Sequence, residues 1–347
     1  MLGRGLVMSV LIVALAGATN AEEFANVGSS GSTLLRFPAD ARGEAMGLAT
    51  TVNPQGATAS WWNPASLPAG RGLEVSFTTW DHPFDDLSWE PLALRVSLDH
   101  VTFSAFWGRY RVGPLLVRTA YEPDGDGEMM EFHQDLYQVG VSVDLLSLWG
   151  FEHDAAVWMV GTNLRYIDLN DVFDAWDADL GSSLAWTLSE EESGWLRWHA
   201  TAMVRNLTKG NLGDGVTTEA DLPRYYHLGT GIEAGLGGLW RGERVVQASV
   251  SYALQRDPED DLYNYDSEHF GMEVTLGGIA SLRAGHRSRG FFPSSEWSWG
   301  AGLRYQSDWR WGLRGAVDYA TYEQDWWSGP ETLHHWTMTL GFDLPPG

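Results

Sequence analysis

Apolar and small or polar residues alternate with a period of two along most of the chain. From Tyr137 one face reads Tyr137, Val139, Val141, Val143 and Leu145, while Gln138, Gly140, Ser142 and Asp144 take the other. The same holds for Trp158, Val160, Leu164 and Tyr166, for Leu180, Leu184, Trp186 and Leu188, and for Leu196, Trp198, Ala200, Ala202 and Val204. It continues through Leu228, Ile232 and Leu236, Val246 to Leu254, Phe270 to Leu276, Trp297 to Tyr305, Trp311 to Tyr319, and Trp336 to Leu344. This period places successive side chains on opposite faces of a β-strand. The segments run about 10 to 15 residues, longer than the usual strand of about 5 to 6 and matched to a tilted membrane strand. Aromatic residues gather near segment ends, as in Trp297, Trp299, Trp311, Tyr319, Tyr322, Trp326, Trp327 and Trp336, where an interfacial girdle places its amphipathic rings.

A soluble β-sandwich also alternates, so the solvent is decided by the second face. That face is Gly, Ser, Thr, Asn, Arg and Glu, and Lys209 is the only lysine, whereas a face washed by bulk water favours lysine. We therefore expect an all-β protein, a transmembrane antiparallel β-barrel. Hydrocarbon offers no hydrogen-bond partner, so a spanning sheet closes on itself. Counting from Leu73 to Leu344 gives about fifteen segments, and because single-chain bacterial barrels have an even number, about 14 strands are expected, with the surplus between Leu73 and Tyr121. If the last strand descends to the periplasm, the outside loops fall at Pro123 to Glu131, Asn206 to Pro223, Asp257 to Asp266, Arg289 to Ser295 and Glu323 to Thr332.

Composition narrows the function. The 347 residues hold 46 acidic against 22 basic side chains, a net charge of −24, with 40 glycines, 19 tryptophans and no cysteine. That charge argues against a nucleic-acid partner, since phosphate binding relies on Lys and Arg. Without cysteine there is neither a disulfide, nor a thiol nucleophile, nor a thiolate metal site. Arg4, the apolar run Leu6 to Ala18 and the small residues around Ala21 read as a signal peptide over 1–21, directing export to the outer membrane of a Gram-negative-type bacterium. No nucleophile elbow, paired-histidine zinc motif or phosphate loop occurs, so no enzyme, catalytic residue, metal or cofactor is expected. Asp124-x-Asp126-Gly127 begins like a calcium loop, but the remaining ligand positions do not follow.

Alternation turns Arg283, Arg287, Arg304, Arg314, Glu233, Glu273 and Asp318 inward, with Arg165, Arg197, His199 and His227, as candidate lumen residues. Opposite charges on adjacent strands would pair across the ladder, giving either an ion-pair network that fills the lumen or a site for an anionic ligand.

The stretch before the barrel, 22–70, is different: small residues, turn dipeptides and at most a short helix, followed by the barrel over 71–347. It carries Arg42, then Met46-Gly47-Leu48-Ala49, then Trp62 directly before Asn63-Pro64-Ala65. This resembles the N-terminal signature of the PorV/PorQ family, within the FadL-like outer-membrane proteins. The resemblance continues in Arg205-Asn206-Leu207, Leu222-Pro223, Gly271-Met272-Glu273, Leu282 to His286 and Gly300 to Leu303. Ser66 stands where a glycine often follows, and Asn53-Pro54-Gln55-Gly56 replaces a usually acidic connection. The resemblance implies that the segment folds into the barrel as a plug, with Arg42, Met46, Gly47, Trp62, Asn63, Pro64 and Ala65 as its motif. It further implies a role in type IX protein secretion, with secretion-system proteins or exported cargo as partners. The broader FadL likeness implies passive transport of hydrophobic small molecules such as long-chain fatty acids. Outer-membrane lipid surrounds the barrel in either case.

Overall fold

The computed structural model describes residues 33–66, 71–81, 87–116, 129–150, 155–169, 173–208, 211–212, 220–222, 224–240, 243–256, 266–289, 296–307, 312–326 and 329–344. The signal peptide read over 1–21, the plug residues 22–32 and 67–70, the calcium-like Asp124 motif, and Trp311 and Trp327 lie outside them.

Fourteen antiparallel strands close into one barrel. They are β1 (Gly72–Asp81), β2 (Leu87–Ser97), β3 (Val101–Leu116), β4 (Met129–Asp144), β5 (Ala156–Leu169), β6 (Phe173–Glu191), β7 (Gly194–Arg205), β10 (Tyr225–Trp240), β11 (Glu243–Arg256), β12 (Ser267–Leu276), β13 (Ala280–Arg289), β14 (Glu296–Gln306), β15 (Arg314–Trp326) and β16 (Gly329–Asp343). The remaining pair, β8 (Asn211–Leu212) and β9 (Ala220–Asp221), forms a separate small ribbon in the β7–β10 connection. Each barrel strand pairs with its neighbours in sequence, and β1 closes on β16 from Gly72↔Asp343 to Asp81↔His334. Closure leaves no unpaired edge, which is what a sheet in hydrocarbon requires.

The outward face is an apolar band that includes Phe77, Leu94, Val139, Leu164, Ile232, Val250, Leu282, Leu303 and Met338, all exposed. Such surface has no place in water at this extent and defines the membrane-facing belt. Ile232 sits mid-strand between Trp198 and Val250. Ile232→Arg is expected to cost about 2–4 kcal/mol, the depth-dependent penalty for a cation on the lipid face, read by denaturant unfolding in lipid vesicles. The two longest connections, 117–128 and 206–224, lie at one end, whereas most of those at the other, such as 98–100, 192–193 and 277–279, are two or three residues, with 145–155 and 307–313 the exceptions. The first end faces outside by the usual asymmetry of these barrels.

The strand count of fourteen holds, and among the described residues between Leu73 and Tyr121 there are three strands, β1, β2 and β3. Several sequence expectations are corrected. The ladder runs further into the outside loops than alternation suggested: Met129 to Glu131 belong to β4, and Glu323↔Thr332 pair within β15–β16. Leu145 does not end a strand; it opens a helical turn, α3 (Leu145–Leu148), because Asp144 caps it by accepting from the Leu146 and Ser147 amides at 3.1 and 3.4 Å. Tyr322 is not a girdle residue: it shares the parity of Asp318 and Ala320, and it is buried inside. The expectation of a uniformly small or polar inner face also fails. Trp80, Trp89, Phe106, Leu136, Ile167 and Leu333 all project inward and are buried.

Candidate functional site: the filled lumen

The N-terminal segment 33–66 lies within the barrel. It is built from tight pieces: a 3₁₀ turn over Thr33–Arg36, α1 (Ala41–Ala45), a second 3₁₀ turn over Ala49–Thr51, and α2 (Ala59–Trp62). Asp40 organises it. Its carboxylate caps α1 by accepting from the Gly43 amide at 2.5 Å, and it also accepts from the Thr58 hydroxyl and from the Trp62 indole N–H at 2.7 Å. One carboxylate thus ties α1 to α2. Trp62, part of the expected motif, then lies flat on Gly43, where any Cβ would overlap the indole.

The motif residues are anchors to the wall. Asn63 accepts from the Ala65 amide at 2.9 Å, an Asx turn, and donates to Ser183 Oγ of β6 at 3.1 Å. Pro64 and Ala65 settle over Gly161 and Gly181, which face each other across β5 and β6. Met46 and Gly47 settle over Gly271 and Gly285, which face each other across β12 and β13. Gly47, at φ 59, takes the left-handed turn, and Leu48 follows it at φ 67, a conformation strained for a residue with a side chain. The His269 imidazole bonds the Gly47 carbonyl at 2.9 Å and helps hold this turn. The wall therefore offers two glycine sockets, and the plug backbone fills both.

Charge completes the docking. Arg42 reaches Glu273 at 2.7 Å and donates to the Asn53 carbonyl at 3.2 Å. Glu273 also holds Arg283 at 2.7 Å, Arg283 holds Asp318 at 2.6 Å, and Arg304 lies 4.0 Å from Glu273 while donating to Gln55 Oε1 at 3.3 Å. Five of the expected residues, four from the wall and one from the plug, are thus one buried cluster. Arg287 is a second link, bridging Glu44 of the plug at 3.3 Å to Glu296 of the wall. The others are not brought into this cluster. Arg314 pairs with Glu74 at 3.4 Å and Asp343 at 3.0 Å at the inner rim. Glu233 meets His199 at 3.3 Å and Arg197 only at 4.0 Å.

Arg165, expected to face inward, centres a third polar hub whose members the sequence did not bring together. Arg165 pairs with Asp179 and donates to Asn206 Oδ1 at 2.8 Å and Gln138 Oε1 at 3.0 Å. Arg205 donates to the plug carbonyls of Leu35, at 3.2 Å, and Trp61. Both guanidinium groups lie against the Trp61 ring, at 5.7 and 5.2 Å from its centre. The available signal was Arg205-Asn206, since Asn206 adopts φ 58, a conformation asparagine tolerates better than most residues.

An apolar cluster fills one side of the outer half of the lumen, between β16 and β5, with the buried Arg287–Glu296 pair beside it. Trp61 of the plug stacks on Phe106 at 4.7 Å, and Phe37 lies among Trp80, Trp89 and Tyr110 at 5.0, 6.2 and 5.1 Å between ring centres. The Trp89 indole donates to the Pro38 carbonyl at 2.8 Å, fixing the cage to the plug. Leu34, Leu35, Leu136, Ile167, Leu222 and Leu333 extend the same cluster. Among the described residues no group of three or more His, Asp or Glu side chains is placed to hold a metal ion.

No family model and no curated protein sequence matches the chain. Solved structures resemble it in fold. The Ralstonia pickettii toluene transporter TbuX is 10% identical, with a TM-score of 0.49 over 92% of this chain and 100% of that one. The Pseudomonas putida toluene transporter TodX is 11% identical, with a TM-score of 0.47 over 87% and 97%. A Pseudomonas aeruginosa FadL homologue is 9% identical, with a TM-score of 0.43 over 88% and 99%. At such identities the likeness concerns the barrel fold alone, and it does not single out PorV/PorQ among such barrels.

Proposed function

We propose that the chain is a plugged conduit for hydrophobic small molecules in the outer membrane of a Gram-negative-type bacterium, with 22–70 as the plug. One observation carries this reading: on one side of the outer half of the lumen Trp80, Trp89, Phe106, Leu136, Ile167 and Leu333 form a continuous apolar face, where a water-filled pore would carry polar groups. Apolar lining gives an apolar solute about 25 cal/mol for each Å² it removes from water. Polar solutes gain nothing there. The plug side chains Leu34, Leu35, Phe37 and Trp61 occupy this space in the resting protein, so passage requires them to yield.

Uptake tests the reading directly. Vesicles containing the protein are expected to take up a fluorescent long-chain fatty acid or an apolar hydrocarbon faster than empty vesicles, and no faster uptake would reject the proposal. Phe37→Ala should enlarge the apolar space beside Trp80 and Trp89. A dry apolar void of this kind binds ring-sized solutes, so the variant is expected to bind such solutes more tightly, read by tryptophan quenching. Truncating a buried Phe costs about 3–5 kcal/mol, and the half-buried Phe37 should fall below that.

The secretion reading drawn from the PorV/PorQ resemblance has no observation of this lumen behind it. A deletion strain separates the two. Loss of growth on long-chain fatty acids with an unchanged surface proteome favours the conduit, and the reverse pattern favours secretion.

A further inference from the structure

The connection between β4 and β5 carries more apolar surface than joining two strands requires. At the same end of the barrel, neighbouring strands are joined through short turns at 192–193 and 277–279. Here Leu145-Leu146-Ser147-Leu148-Trp149 forms α3 and its cap, with Leu148 67% and Trp149 51% exposed. The turn is not loose. Asp144 caps it, Ser147 Oγ bonds His100 Nδ1 of the β2–β3 turn at 2.8 Å, and the Trp149 ring meets Trp158 edge-on at 5.9 Å. Trp158 lies on the outward face of β5, opposite Leu184 on β6, but is buried with Trp149 against it, and its indole donates to Ser182 Oγ at 3.0 Å, so the exposed Trp149 ring sits on the outer wall of the barrel. The exposed patch is therefore continuous with the membrane-facing belt at its inner edge, beside the barrel rather than beneath its mouth. A short amphipathic element with leucine and tryptophan on its free side suits the boundary between headgroups and acyl chains.

We propose that α3 and Trp149 form a foot that beds in the inner leaflet of the surrounding bilayer. Its partner is lipid, because the patch extends a surface already in lipid and its described residues Leu145 to Gly150 carry no charged side chain. The foot fixes the height of the β4–β5 corner against the membrane.

The chain contains no cysteine, so Leu148→Cys gives a unique nitroxide site in the full-length protein reconstituted in phosphatidylcholine vesicles. Ser193→Cys, on the exposed turn between β6 and β7, gives the water-facing reference. Folding of both is checked by heat-modifiable migration. The label at 148 is expected to relax with oxygen and be spared by a water-soluble nickel chelate, with the opposite at 193. A label at 148 as open to the chelate as the reference places the foot in water and overturns the proposal. A label spared by both reagents places it under protein, a second copy or a partner, and overturns it equally. As an independent reading, Trp149→Phe should reduce total quenching by lipids brominated near the headgroup; unchanged quenching counts against the foot.

Discussion

A barrel carrying Gly161→Val together with Gly285→Val is expected to lose its plug from the lumen and to conduct ions where the parent conducts little. At Gly161 an added Cβ would lie 2.5 Å from the Pro64 carbonyl carbon and 2.9 Å from the Ala65 nitrogen. At Gly285 it would lie 2.7 Å from the Gly47 Cα. These neighbours are backbone, so no rotamer change relieves them. Overpacking of this kind costs about 1–3 kcal/mol at each site, and the two sockets are far enough apart for the costs to add. The wall is held by a continuous hydrogen-bonded ladder, whereas the plug is held by a few side chains. The strain should therefore fall on the plug. Single-channel conductance should rise, 33–66 should become open to added protease, and the barrel should keep its heat-modifiable migration. Gly315→Val is the control, since a Cβ there meets nothing within 4 Å. Unchanged conductance and full protease protection in the double variant would refute the sockets as the plug's seat.

Glu273→Ala should be the most destabilising single change in the lumen. Arg42 and Arg283 both lie 2.7 Å from this carboxylate, with Arg304 at 4.0 Å, and among the described residues Asp318 pairs with Arg283. Removing the carboxylate leaves the buried Arg42 guanidinium without its counter-charge, a loss of about 3–5 kcal/mol, whereas Arg283 keeps Asp318. Arg42→Met is the informative comparison. Glu273 then keeps two arginines, so only hydrogen bonds to a charged group are lost, about 1–3 kcal/mol. Denaturant unfolding in vesicles should rank the variants in that order, and the reverse order would remove Glu273 from the centre of the cluster. Ion pairing as such is not the source of strength here, since burying the charges has already cost solvation. The cluster works by making one position of the plug far better satisfied than any displaced one.

The barrel was legible because period-two alternation reports directly which solvent each face meets, and parity then set the count at fourteen. The inward direction of Arg283, Glu273, Asp318 and Arg304 followed from the same rule. What they pair with did not, since Arg42 reaches Glu273 across most of the chain and no local pattern encodes that distance. The aromatic lumen was written in the sequence and misread. Trp80 shares the parity of Glu74, Ser76 and Thr78, Trp89 that of Arg95, and Tyr322 that of Asp318. Assigning Tyr322 to a lipid girdle ignored its parity, while Trp297, Trp299 and Trp336 do face outward and are exposed. The glycines were hidden for a different reason: Gly161 and Gly285 each look like an ordinary small residue on the inner face. Only the ladder register, which sets Gly161 against Gly181 and Gly285 against Gly271, turns them into sockets.

The path of the chain through this lumen also constrains how the molecule can be made. α1 precedes β1 in sequence, yet it rests against β13, β14, β15 and β16, while Asn63 and Pro64 rest on β5 and β6. The seam between β1 and β16 joins the two ends of the chain. The beginning of the protein therefore cannot find its place until the last strands exist, and once the seam zips it is enclosed. A chain lacking β13 to β16 has nowhere to dock α1. Burial of the segment thus depends on every strand having arrived and on the ring having closed in register.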